Sequence, residues 1–188
     1  MASKAEIFAV ALGLTGEKDV VDPDGNEPGA RKVRKFYTIA RDATLRAHPW
    51  NFAMRRAQMT PETAAPAFGF AKSYLLPAEP FCLRAWTAHT DGEPWKVEGR
   101  SLLTDYNGTL NLEYIARVTD EGAFDADFTL AFGQVLAAMA CYDLTGNTAL
   151  ARTLMEDSVL QKRQARSLDG QEGTPDEPGE SQFILARA

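Results

Sequence analysis

Near the start of the chain, apolar residues recur three and four positions apart and predict two helices. The first covers residues 5–14, with the spacing of a capping box in Ser3 and Glu6 and a terminating glycine at Gly16. The second covers residues 30–47 and stops before Pro49, because proline disfavours helix at the residue before it. Its apolar face is predicted to comprise Val33, Phe36, Tyr37, Ala40, Thr44 and Ala47. Basic residues are predicted to lie largely off that face: Arg31, Lys35, Arg41 and Arg46.

Through the middle of the chain, short apolar segments and turn sequences predict β-strands instead. The predicted strands cover residues 50–57, 73–76, 81–88, 95–98, 101–104 and 110–118. Turn sequences separate the later strands: Asp91-Gly92, Gly99-Arg100 and Asn107-Gly108. Because each strand is followed closely by a turn and a further strand, we expect an antiparallel meander.

The last part of the chain returns to helical spacing. A helix capped by Asp125 or Asp127 is predicted to run to about Thr145, where Gly146 ends it. This helix is apolar on more than one face, so we expect it to be buried on several sides. A more charged helix is predicted over residues 149–167.

These elements predict an α+β fold with one domain, residues 1–168. Residues 1–49 and 119–168 form a helical bundle in this prediction, and an antiparallel β lobe, residues 50–118, is inserted between them. Three aromatic residues are expected to anchor the junction of lobe and bundle: Trp50, Phe52 and Tyr114. Residues 169–188 are rich in Gly, Pro, Asp and Glu, and are expected to form an extended, flexible C-terminal arm.

A length of 188 residues and a hydrophobic fraction of 45% permit a core without disulfides or metals. We expect no secretory signal, no apolar run long enough to span a bilayer, and therefore no membrane partner. Cys82 and Cys141 lie in apolar segments and are expected to be buried free thiols, in keeping with assembly in a reducing compartment.

Motifs for catalysis and cofactor binding are absent from the sequence. There is no phosphate-binding glycine loop, no Cys-x-x-Cys pair and no zinc-binding H-E-x-x-H helix. His48 and His89 are interpreted as structural, and nothing local supports a nucleophile pair of Cys82 with His89 or of Cys141 with His48. Helix capping, rather than metal binding, accounts for the acidic group Asp120, Glu121, Asp125 and Asp127. We therefore expect no enzyme, no cofactor and no metal site; a small enzyme with a cysteine or carboxylate centre remains an alternative.

The formal charge of −6 is unevenly distributed along the chain. Residues 31–46 carry six cations against Asp42 alone, whereas residues 169–188 carry five carboxylates against Arg187. Opposite charges on separate segments favour contacts between subunits. Alternatively, the basic helix 31–46 contacts DNA phosphates, and the chain is a DNA-binding accessory protein.

Several short motifs follow one another in a defined order. They are residues 11–17, Asp24-Gly25, the helix from Ala30, Trp50-Asn51-Phe52-Ala53, Tyr74-Leu75-Leu76-Pro77, Cys82-Leu83-Arg84, Tyr114-Ile115-Ala116-Arg117, residues 124–128 and Leu144-Thr145-Gly146-Asn147. In order and spacing, over roughly residues 5–168, the chain resembles the head-to-tail adaptor (tail tubular protein A-like) family of bacteriophages. Residues 169–188 fall outside the resemblance.

The resemblance implies a structural virion protein: a homo-oligomeric ring, commonly a dodecamer, in the neck between the capsid portal and the tail. The implied partners are other copies of the chain, the portal protein, a downstream tail or neck protein, and genomic DNA that passes through the lumen during ejection without sequence-specific binding. Assembly in the host cytoplasm is implied as well. On this interpretation we expect Arg34, Arg41 and Arg46 at the subunit interface, and Phe183, Ile184 and Leu185 in a portal-docking arm.

Overall fold

The computed structural model describes residues 2–169, with side chains described through Val159. In this range the helices are α1 (Lys4–Thr15), α2 (Pro28–Ala47), α3 (Ala126–Thr145) and α4 (Thr148–Asp169). The strands are β1 (Met54–Met59), β2 (Lys72–Leu75), β3 (Cys82–His89), β4 (Trp95–Glu98), β5 (Ser101–Thr104) and β6 (Leu110–Ala116). The predicted α+β fold, with helices before and after an inserted β lobe, is confirmed.

Local signals place the caps of α1 and the C-terminal end of α3 as the sequence predicts. The Ser3 hydroxyl accepts a hydrogen bond from the Glu6 amide at 3.2 Å, and the Glu6 carboxylate accepts one from the Ser3 amide at 2.9 Å. Gly16 and Gly146 end α1 and α3 with φ of 72° and 69°, a conformation that glycine adopts without steric cost. Helix α2 begins at Pro28, earlier than predicted, because proline is favourable in a first helical turn.

Helix α3 is the centre of the bundle and contacts each of the other three helices. Its aromatic residues Phe128 and Phe132 are fully buried, and the Phe132 ring lies 5.0 Å from the ring of Tyr37 on α2. The prediction that this helix is buried on several sides is confirmed.

The expectation that no apolar segment has membrane-spanning length is wrong for α3. Among the described helices, α3 alone is long and apolar enough to cross a membrane, and 61% of that window is buried inside the fold. A core helix enclosed by three others needs the same apolar composition as a spanning helix, so both produce the same signal.

The β lobe is not a meander, and this part of the prediction is wrong. It contains two three-stranded antiparallel sheets with strand orders β1-β6-β3 and β2-β5-β4, and only β4 and β5 are paired neighbours in sequence. The Asp91-Gly92 turn forms, with a bond from the Glu93 amide to the Thr90 carbonyl at 3.0 Å, but it joins strands of different sheets. Each sheet has an apolar face, and stacking two sheets buries both faces against each other.

Residues 50–53 also differ from their predicted strand. Trp50 precedes a single 3₁₀ turn, Asn51–Ala53, and β1 begins only at Met54. The buried Trp50 indole N–H donates to the Thr44 carbonyl at 3.0 Å, and its ring lies 5.2 Å from that of Phe128. Aromatic packing on α3 therefore decides this segment, rather than strand alternation.

Strand β6 separates two hydrophobic cores. Ile115 belongs to the bundle core with Trp50, whereas Leu112 and Tyr114 belong to the core between the two sheets. The prediction that Tyr114 anchors the junction is thus wrong, because successive side chains of a strand point to opposite faces. Ile115, Trp50 and the partly buried Phe52 make the junction instead.

Candidate assembly surfaces

Most cations of α2 are used within their own chain. The Arg34 guanidinium donates to the carbonyls of Pro23 at 2.9 Å and Gly25 at 3.2 Å, and so holds the loop between α1 and α2. Lys35 forms an ion pair with Asp143 of α3 at 2.9 Å. These side chains tie neighbouring segments together, so less of their charge is available to an outside partner.

The position of Arg41 differs from the sequence-based prediction, which placed this residue off the apolar face of α2. Arg41 is only 8% exposed, and its guanidinium lies 2.9 Å from a carboxylate oxygen of Asp42. The other Asp42 oxygen lies 2.8 Å from the guanidinium of Arg117. A cation can be buried when a carboxylate compensates its charge. Arg41 therefore lies on the buried side of α2, whereas the sequence predicted that it lies off the apolar face. The charge of Arg41 is satisfied inside the chain, which does not favour the predicted subunit contact; that role stays a prediction.

Arg46 is exposed at the end of α2, and its guanidinium donates to the Leu83 carbonyl of β3. It therefore lies beside the β lobe. The interface roles of Arg34 and Arg46 stay predictions. The predicted docking residues Phe183, Ile184 and Leu185, like the rest of the arm beyond Asp169, lie outside the described residues.

The candidate Cys82–His89 pair gains no support from the geometry. Cys82 and His89 occupy opposite ends of β3, about 23 Å apart at the rise of an extended strand. Both cysteines are free and buried, as predicted, and burial raises the pKa of the Cys82 thiol, which disfavours the nucleophilic thiolate. His89 instead lies 3.6 Å from the carboxylate of Glu113 on the neighbouring strand.

Two of the four acidic residues around the start of α3, Asp120 and Asp125, form the predicted caps. Asp120 accepts from the Gly122 amide at 2.9 Å, and Asp125 accepts from the Phe128 amide at 2.6 Å, capping α3. Glu121 accepts from the Tyr37 hydroxyl at 2.9 Å; burial, together with this hydrogen bond, raises the pKa of Tyr37. Within residues 2–159, no group of three or more His, Cys, Asp or Glu side chains is arranged to hold a metal ion.

A groove of about 590 Å³ lies between β3 and β4, and we call it the arginine groove. Its lining consists of Arg46, Leu76, Phe81, Cys82, Leu83, Arg84, Ala85, Trp95, Val97, Gly99 and Arg100. Among the described strands, β3 pairs with β6 alone and β4 with β5 alone, so each is the edge strand of its sheet. The groove thus runs between the unpaired edges of two sheets.

Every charged side chain in the groove lining is an arginine. The Arg100 guanidinium lies 4.1 Å from the Phe81 ring centre and donates to the carbonyls of Cys82 at 2.8 Å and Pro77 at 2.6 Å. Arg84 lies over the Trp86 ring at 5.0 Å. Sequence reasoning missed this surface because its three arginines come from α2, β3 and the turn between β4 and β5, and no local pattern links them.

Large apolar side chains are also exposed on the outside of the bundle. Ile39 of α2 is 62% exposed and Tyr142 of α3 is 60% exposed. On α4, Met155 and Val159 are 45% and 42% exposed, and their spacing of four residues places them on one helix face.

The chain matches no protein-family model and no curated protein sequence. The helices and sheets of the structure define an α+β protein, and the function is argued below from the surfaces described above.

Proposed function

We propose that the chain is a subunit of a ring-forming head-to-tail connector, the role implied by its sequence resemblance to bacteriophage adaptors. In this proposal copies pack side by side through the helical bundle, join the portal to a downstream tail or neck protein in the virion, and surround the DNA channel. The chain serves as a structural component and not as an enzyme.

The observation that carries the proposal is the apolar outer surface of the bundle. Ile39, Tyr142, Met155 and Val159 lie on three helices that are already packed inside one core, yet these side chains remain 42–62% exposed. Isolated exposed apolar residues are ordinary, but several on adjoining helices favour burial against a partner. The exposed Arg46 adds a cation at the lobe end of the bundle for an acidic neighbour.

The fold also supports the proposal at the motifs that carry the resemblance. Gly16 and Gly146 end helices, and Trp50 lies at the junction of bundle and lobe. Arg34, Lys35 and Arg41 already form hydrogen bonds or ion pairs within the chain. These contacts do not favour the DNA-binding alternative, because phosphate contacts need free cations.

The test is native mass spectrometry and electron microscopy of the full chain, alone and co-expressed with the portal protein of the same virus. We expect a closed ring with a central opening. The variant Ile39→Glu/Val159→Glu should lose the ring, because charge at a buried contact is costly, while Leu75→Glu is the matched control, since Leu75 is 58% exposed on the β lobe. A wild-type chain that stays monomeric with portal present contradicts the proposal.

A further inference from the structure

We propose that the acidic segment formed by residues 176–185 docks in the arginine groove of the same molecule, between the open edges of β3 and β4. Its carboxylates would meet Arg46 and Arg84, and its apolar end would cover the exposed parts of Trp95 and Val97. The groove is then a regulated docking site for the chain's own arm.

The first argument is the exposed strand edge. An unpaired edge presents backbone N–H and C=O groups to any extended segment, and native proteins generally cover or protect such edges. β3 and β4 are joined by the tight turn at Asp91-Gly92 but do not pair with each other. At the start of β3 the carbonyls of Cys82 and Leu83 already accept from Arg100 and Arg46, so the edge that a ligand can use is the part of β3 from Arg84 onward, together with β4. An extended peptide is the kind of ligand that adds to such an edge through main-chain hydrogen bonds.

The second argument is charge. None of the ion pairs between side chains in residues 2–159 uses Arg46, Arg84 or Arg100. Arg46 and Arg100 donate to backbone carbonyls, which do not neutralise their charge, and Arg84 is the exposed cation of the three with no such bond among the described contacts. The acid next to the groove, Glu98 on β4, lies 2.7 Å from the Lys96 ammonium. Arg100 and Arg46 also act against burial on the pKa of the Cys82 thiol, as expected for cations that converge on one place. The groove therefore favours an anionic ligand.

The third argument is the composition of residues 176–185. Asp176, Glu177 and Glu180 supply three carboxylates within five positions, and Phe183-Ile184-Leu185 follows after two polar residues. The groove has the complementary arrangement, with arginines beside Trp95 and Val97, which are 36% and 37% exposed.

The fourth argument is reach. A short link at Gly146-Asn147 reverses the chain, so α4 runs back along α3 toward the end of the bundle where Phe128 contacts Trp50 and the lobe begins. From Asp169 the chain can extend about 3.3 Å per residue, or roughly 23 Å to Asp176 and 46 Å to Phe183. A tethered segment has an effective concentration of about millimolar, which favours docking within one molecule over docking between molecules.

This inference does not rest on the connector proposal, but it has a consequence for it. Phe183, Ile184 and Leu185 are the predicted portal-docking residues, and they cannot occupy the groove and the portal together. A partner that binds the arm must release it from the groove, so the groove would keep the arm folded back until the partner is present.

The direct test is photo-crosslinking of the full chain with p-benzoylphenylalanine in place of Phe183. We expect crosslinks within monomers to peptides from β3 or β4, with a yield that does not change between micromolar and sub-micromolar protein. Crosslinks that are scattered over the surface overturn the proposal. Crosslinks between molecules, with a yield that rises with concentration, also overturn it, because the occupant is then a second copy.

Charge reversal provides the second test, with hydrogen exchange of residues 176–185 as the measurement. We expect Arg84→Glu to lower the amide protection of residues 176–185 by about three- to tenfold, because the substitution removes one exposed ion pair and places like charges together. Glu177→Arg reverses one of the three carboxylates of the segment and should lower amide protection by a similar factor. Combining Arg84→Glu with Glu177→Arg should restore the protection. Arg31→Glu, an exposed cation on α2 away from the groove, is the matched control. Equal protection in wild type and Glu177→Arg overturns the proposal.

Discussion

Asp42 shows how a single carboxylate decides the surroundings of two cations. It lies between Arg41 of α2 and Arg117, which follows β6, with contacts of 2.9 and 2.8 Å. The Arg117 guanidinium also lies 4.3 Å from the ring centre of Phe81, which lines the arginine groove. The ion pair between Asp42 and Arg117 therefore links the bundle to the wall of this groove. Because the Arg41 side chain is only 10% exposed, water cannot replace the carboxylate if it is removed.

We therefore predict that Asp42→Asn lowers the free energy of unfolding by about 3 kcal/mol, the usual effect of leaving a buried cation without its partner. Urea denaturation followed by circular dichroism measures this change. Asp157→Asn, on the exposed face of α4, should change stability by less than about 0.5 kcal/mol. Equal effects of the two variants contradict the assigned role of Asp42.

At the scale of elements, the close crossing of α1 and α3 depends on Gly133. A Cβ atom at this position would lie 2.6 Å from Val10 Cγ1 and 2.8 Å from Val10 Cβ. Helices approach this closely where one of them lacks a side chain. Gly133 is unfavourable for the helix itself, but it allows α1 and α3 to pack tightly. On α1, Gly13 has no such contact within 4 Å.

Substituting alanine for each of the two glycines should change the stability of the fold in opposite directions. We expect Gly133→Ala to destabilise the fold by about 1–3 kcal/mol through overpacking against Val10. Gly13→Ala should stabilise it by about 0.5–1 kcal/mol, because alanine favours the helix and nothing opposes the added methyl. Thermal denaturation of both variants measures the difference. Stabilisation by both would mean that α1 and α3 can separate at little cost.

At the scale of the whole molecule, bundle and lobe share β6 as a common wall. Ile115 is fully buried in the bundle core, while Tyr114 next to it is buried between the sheets. Neither core can lose this strand without exposing apolar surface of both. We therefore expect the two parts to unfold as one cooperative unit.

The corresponding prediction concerns Ile115→Ala, which should destabilise the fold by about 2–5 kcal/mol. The loss of stability measured by circular dichroism of the helices should equal the loss measured by hydrogen exchange of β2 and β5. This is expected although both strands belong to the other sheet from the one that contains Ile115. Leu75→Ala, at an exposed position of β2, serves as the control. A lobe that keeps its exchange protection after the helices melt contradicts a single unit.

The elements that the sequence determined depend on neighbouring residues. The capping box of Ser3 and Glu6 and the helix ends at Gly16 and Gly146 form as predicted, because each needs atoms only a few residues apart. Asp91-Gly92 also forms its turn, although the strands on either side of it do not pair as the predicted hairpin would. The alternation in β6 likewise predicts its buried face. The α+β class follows from these local patterns.

Tertiary structure alone decided which strands pair, where Arg41 lies, and how the arginine groove forms. Strand pairing depends on which apolar faces cover each other, so the predicted meander gave way to two stacked sheets. Arg41 is buried because Asp42 and Arg117 meet across the fold. The groove gathers Arg46, Arg84 and Arg100 from distant positions. Contacts between residues far apart in the chain leave no periodic signal, and that is the physical reason why the sequence by itself determined the elements but not these surfaces.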